Sequence, residues 1–92
     1  MDKYWKIFLK RISEDKRLNV WHLVLLMAIM QLGIDQHETK NIRVSRSILM
    51  KKSHILTVPT YHKYFKELQA IGYITYYPSY HPKVRSYIRM QS

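Results

Sequence analysis

Apolar residues recur at helical spacing in several stretches, and polar or turn-forming residues separate them. Tyr4, Ile7, Phe8 and Ile12 alternate with Lys3, Lys6, Lys10 and Arg11, which predicts a short helix from Asp2 to Ile12. Ser13 to Lys16 is a polar break. Asn19 stands where an N-cap belongs, ahead of a second helix from Val20 to Leu32 that Gly33 is expected to stop. This helix is apolar almost all round, so it needs cover on most sides. The first helix can supply part of that cover and a second copy of the chain the rest. Asp35 to Asn41 reads as a polar loop and Ile42 to Val44 as a short strand.

Ser45 takes the N-cap position before a short helix from Arg46 to Lys52, with Ile48 and Leu49 turned inward. Ser53 to Thr57 is a tight connection containing Ile55 and Leu56. A longer helix follows from Val58 to Ile71, capped by Thr57, with Pro59 in its first turn and Gly72 at its end. Val58, Tyr61, Phe65, Leu68 and Ile71 form its inner stripe. Tyr73 to Tyr77 is β-branched and aromatic, Pro78 to Lys83 is turn-rich, and Val84 to Met90 alternates. Val84, Ser86, Ile88 and Met90 fall on one face of that last strand, with Arg85, Tyr87 and Arg89 on the other. The expected fold class is mainly α with a small β-hairpin.

The 92 residues suffice for a single domain. A chain of this size buries about 60–65% of its unfolded surface, so its core is modest. An apolar content of 47% still argues for a folded unit over a disordered basic tail. Cysteine is absent, which removes disulfides and thiolate metal sites and fits a reducing cytoplasm. No signal peptide is evident in the basic, amphipathic first residues. Val20 to Leu32 spans thirteen residues and contains His22 and Gln31. A membrane helix needs about 20 residues, so this segment is expected in a core.

Charge divides the chain unequally. Residues 40–92 carry ten basic residues and one acid, Glu67, whereas residues 1–39 carry six and five. Density of this kind on a folded unit points to a polyanionic partner. The same half reads as short helix, turn, longer helix and hairpin, the parts of a winged helix-turn-helix. On that plan residues 1–17 form an N-terminal helical extension and residues 18–92 the core. The first helix of the pair braces on the phosphate backbone through Arg43, Ser45, Arg46, Lys51 and Lys52. The second offers Thr60, His62, Lys63 and Lys66 outward, with Gln69 beyond, and the hairpin offers Tyr80, His81, Lys83 and Arg85.

These residues carry a resemblance. Val44-Ser45-Arg46, Thr60-Tyr61-His62-Lys63, Lys66-Glu67-Leu68-Gln69, Gly72-Tyr73-Ile74 and the hairpin run Tyr77-Pro78-Ser79-Tyr80-His81-Pro82 resemble small winged-helix proteins carried by bacterial mobile elements and phages. His22-Leu23 and Leu26-Met27-Ala28 resemble the first helix of the group. The resemblance spans roughly residues 18–90, and the Tyr-Pro-Ser-Tyr-x-Pro hairpin is its most specific part. It implies a DNA-binding regulatory or architectural role. Where the family often has Gly-Ser after the second proline, this chain has Arg85-Ser86, which adds a charge and removes the freedom of glycine.

Other chemistries fit less well. The second helix of the pair has no Arg or Asn, the residues best suited to bidentate base reading, so strong sequence specificity is not expected. Tyr73, Tyr76, Tyr77, Tyr80 and Tyr87 invite stacking on single strands, but one face of a hairpin must cover the core. His22, His37, His54, His62 and His81 show no metal-ligand spacing. His22 is expected in the core or an interface, His62 and His81 as phosphate donors, and Trp5 and Trp21 in the core. The acids at 2, 14, 15, 35, 38 and 67 make no catalytic pair, and two glycines make no phosphate loop. Neither an enzyme nor a cofactor is expected. The competing class is a small basic phage-type inhibitor that binds a host protein or a ribonucleoprotein such as an RNA-guided nuclease. A homodimer through Val20–Leu32 and the N-terminal helix is a further expectation.

Overall fold

The computed structural model describes residues 2–91. The elements run α1 (Lys3–Glu14), α2 (Val20–Gln36), β1 (Ile42–Val44), α3 (Arg46–Ser53), α4 (Val58–Ile71), β2 (Ile74–Tyr77) and β3 (Ser86–Met90). The architecture is mainly helical with a three-stranded antiparallel sheet in the order β1-β3-β2.

The sheet extends the expected hairpin by one strand. β1 joins the far side of β3, with Ile42 opposite Ile88 and Val44 opposite Ser86. β2 pairs with the other side, Ile74 opposite Met90 and Tyr76 opposite Ile88. Strand side chains alternate between faces, so Ile42, Val44, Ile74, Ile88 and Met90 are buried together beneath the helices. Val84, expected to continue this inner face, precedes the strand and is 58% exposed.

The helix boundaries follow their caps. Asp2 accepts a hydrogen bond from the Trp5 N–H at 3.2 Å and starts α1, which continues through Ser13 and Glu14. Asn19 starts α2 with a reciprocal box. Its Oδ1 accepts from the N–H groups of Trp21 and His22, and its own N–H donates to His22 Nδ1 at 3.0 Å.

Gly33 does not stop α2. The helix runs on to Gln36 and ends at His37 in the left-handed conformation, φ 55°. Gly33 serves a close approach: a β-carbon there would lie 2.7 Å from Trp5 Cζ2 and 2.9 Å from the Glu38 carbonyl oxygen. The Trp5 ring thus rests on the helix backbone. The glycine that ends a helix is Gly72, φ 99°, after α4. Thr57 stands at the N-cap of α4 without a side-chain cap bond, because its hydroxyl donates to Thr60 Oγ1 at 2.8 Å instead.

α1 belongs to the common core through Trp5, Phe8 and Ile12, which pack with the fully buried Leu25, Leu26, Ile29, Leu49 and Leu68. Asp15, just after α1, ties it to the sheet end. Its carboxylate accepts from the Tyr73 hydroxyl at 2.6 Å, from Arg17 Nη2 at 2.7 Å and Nε at 3.0 Å, and from the Arg17 N–H at 3.0 Å. Arg11 lies over the Tyr73 ring at 4.7 Å and donates to the Gln91 carbonyl. The Arg17 side chain, then the Tyr73 hydroxyl, hold the Asp15 carboxyl well below its usual range. Burial and this same bond push the Tyr73 phenol up.

Two predictions arise. Gly33→Ala drives a methyl group into Trp5 and the Glu38 carbonyl, and should cost about 1–3 kcal/mol in urea denaturation at neutral pH. Asp15 has a lower pKa folded than unfolded, so its stabilisation is complete above the unfolded value of 3.8 and fades as pH falls toward the lower folded value. The stability gap between the native chain and Asp15→Asn should therefore be widest at neutral pH and narrow below about pH 4, as followed by denaturant titration across that range.

Candidate nucleic-acid interface

α4 separates an inner face from an outer one. Tyr61, Phe65 and Leu68 are buried, and the Tyr61 and Phe65 rings stack at 5.2 Å. His62, Lys63 and Lys66 are exposed on the opposite side with Pro59 and Ala70. Two residues expected outward are not so. Thr60 is half-buried and bonded to Thr57, and Gln69 is half-buried with its amide turned back to the Phe65 carbonyl at 3.5 Å. Helical geometry turns both toward the flanks of the helix. Val58, expected inside, is 38% exposed.

A part-buried hydrogen bond ties α4 to α2. His22 on α2 is 3% exposed and its Nε2 meets Glu67 Oε1 at 2.7 Å. Its Nδ1 already accepts the Asn19 N–H, so Nε2 carries the proton and donates to the carboxylate. One imidazole thus caps α2 and fixes α4 against it. The Tyr64 ring packs edge-on against His22 at 4.9 Å, and Trp21 stacks on Tyr64 at 6.4 Å. Trp21 lies outside the core, 41% exposed.

α3 meets α4 at its start. Ser45 caps α3 by accepting the Ile48 N–H at 3.3 Å, and Arg46 follows it, exposed. Arg46 lies near enough to Tyr61 to act on its phenol, which burial pushes up to about 12 against the opposing pull of that guanidinium. His62 packs edge-on to Tyr61 at 5.5 Å. Ser45 and Arg46 open α3, and His62, Lys63 and Lys66 lie along the open side of α4. Lys63 Nζ sits 5.3 Å from the Tyr64 ring centre. Lys51 is exposed. Lys52 is half-buried and borders a depression on α2 lined by Met27, Met30, Gln31 and Ile34, away from this group.

Arg43 stands on the outer sheet face, its backbone N–H and carbonyl both bonded to the Gln36 amide at 2.9 Å. Tyr80, His81, Lys83 and Arg85 occupy the loop between β2 and β3, and Tyr80 is 92% exposed. The loop is closed on itself: the Lys83 N–H donates to His81 Nδ1, the His81 N–H to Ser79 Oγ, and the Ser79 N–H to Ser86 Oγ. Three residues of the sheet stood outside the duplex-binding set: Tyr77 and Tyr87, noted for stacking on single strands, and Arg89. The alternation of Val84 to Met90 already put Tyr87 and Arg89 on the outer face, but their neighbours across the sheet depend on register.

Among the described residues two side-chain contacts join a basic and an acidic residue, the Arg17–Asp15 ion pair and the His22–Glu67 hydrogen bond. Neither involves a lysine or arginine of residues 40–92. The one acid of that half bonds to His22, so its ten cations have no acidic partner among the described residues, and all but the half-buried Lys52 are exposed.

The chain matches no protein-family model, no curated protein and no solved structure. No helix among the described residues is long and apolar enough to cross a membrane.

The His22 contact yields a prediction. His22→Ala leaves the Asn19 N–H and the Glu67 carboxylate without their partner, and should cost about 1–3 kcal/mol. His22→Gln, which can occupy one of the two bonds, should recover part of that loss in the same denaturant titration.

Proposed function

We propose that this chain is a nucleic-acid-binding winged-helix protein that grips duplex DNA as a regulatory or architectural factor in the cytoplasm, of the kind carried by phages and mobile elements. The carrying observation is the basic half stripped of acidic partners, because free cations release phosphate counterions on binding. The element order from α2 onward and the strand order β1-β3-β2 support a winged-helix reading. In this reading residues 58–71 enter the major groove, Ser45, Arg46 and Lys51 brace on phosphates, and the residue 78–85 loop reaches along the strand. The outward face of α4 offers His62, Lys63 and Lys66, point donors better suited to phosphates than to base edges. Binding dominated by the backbone follows.

A second reading has its own observation. Val20, Trp21, Met27 and Leu56 are exposed apolar side chains, Leu56 at 91%, and exposed apolar surface favours a protein contact. A small basic inhibitor of a host protein or ribonucleoprotein would use such a surface, and so would a homodimer along α2. Retention of a stoichiometric protein partner after nuclease treatment would favour this reading.

The test of the first is fluorescence anisotropy on random duplex DNA. Affinity should fall by several orders of magnitude between about 50 and 200 mM salt. Arg46→Ala and Lys51→Ala should weaken all sequences alike and each lower the salt slope by about 1. Unchanged duplex affinity after substitution of Arg46 and Lys63 together would exclude this mode.

A further inference from the structure

The outer face of the sheet carries an arrangement that the duplex-binding proposal does not use. Register places Arg43, Tyr87 and Tyr77 in one row across β1, β3 and β2. The Tyr77 and Tyr87 rings stack with centroids 4.7 Å apart and planes 14° from parallel. In the next row Arg89 lies opposite Thr75. Arg43, Tyr77 and Arg89 are exposed and Tyr87 is half-buried. β2 is an edge strand, so no further strand stands beside Tyr77. Residues 68–92 contain no acid.

A cross-strand tyrosine pair also stabilises a sheet by itself. That role needs neither arginine. It leaves unexplained why the exposed face of the sheet combines two stacked phenols with two guanidiniums that have no acidic partner among the described residues. Aromatic faces flanked by cations are what unpaired bases and their phosphates require. Every base has a π-face, and each stacked base contributes appreciably without regard to sequence. Each phenol here gives one ring face to the other. The second face of Tyr87 is turned toward the Arg43 strand, and the second face of Tyr77 toward the open edge.

We propose that this sheet face is a stacking platform for single-stranded nucleic acid. A base extends the row beyond Tyr77, Tyr87 supports that ring from behind, and Arg89 on β3 and Arg43 on β1 hold phosphates of the strand as it runs back across the sheet. The site is separate from the α3–α4 surface and does not depend on the duplex reading.

The experiment compares two labelled strands of about ten nucleotides, a length within the usual range for such sites. One is oligothymidylate; the other is an abasic strand with the same phosphates. Fluorescence anisotropy should show at least about tenfold tighter binding of the strand that bears bases, the scale of one stacked ring. Tyr77→Ala should erase that preference, and Tyr77→Phe should retain it. Equal binding of the two strands by the native chain would overturn the proposal, as would a preference that survives Tyr77→Ala. If Tyr77→Ala unfolds, the abasic comparison on the native chain still decides. Duplex affinity measured alongside reports on the α3–α4 surface and is expected to be the same for the native chain and Tyr77→Phe.

Discussion

A single imidazole holds the two long helices together. His22 is buried, completes the cap at the start of α2 and reaches Glu67 on α4. Neutral histidine is suited to both bonds at once because its two nitrogens have opposite hydrogen-bonding characters. The contact joins α2 to α4 beside the apolar packing of Leu25, Leu26 and Ile29 with Tyr61, Phe65 and Leu68. It also engages the one acid of the basic half. The carboxylate keeps its charge in this bond, so Glu67 still offsets a small part of the field of Lys63 and Lys66 on the same helix.

The helical elements were largely legible in the sequence, because their signals are local. Asn19, Ser45 and Gly72 sit at the ends their chemistry implies, and the Val58–Ile71 helix is found at the expected bounds. Gly33 was misread since a glycine at the end of an apolar run looks the same whether it terminates a helix or admits a ring. The difference lies in Trp5, which arrives from 28 positions earlier in the chain. Trp21 and Thr60 were misplaced for a related reason. Each lies on a helix flank, where exposure depends on the neighbouring helix and not on the helix's own periodicity.

The candidate surface was legible as charge and illegible as geometry. Composition singled out the cations of residues 40–92, yet nothing local separates Arg46, exposed at the start of α3, from Lys52, half-buried against α2. The outer sheet face was hidden more deeply. Alternation assigned Tyr87 and Arg89 to one side, but the row from Arg43 through Tyr87 to Tyr77 exists only once three separate strands adopt their register.

That strand order also bears on how the chain assembles during synthesis. The central strand, β3, is the last to leave the ribosome, after both strands that flank it. Ile42 must wait for Ile88 to pair, while the helices can close through near neighbours as they emerge. Without β3 the other two strands have no partner in the sheet, so its loss would leave two open edges and their apolar faces uncovered together.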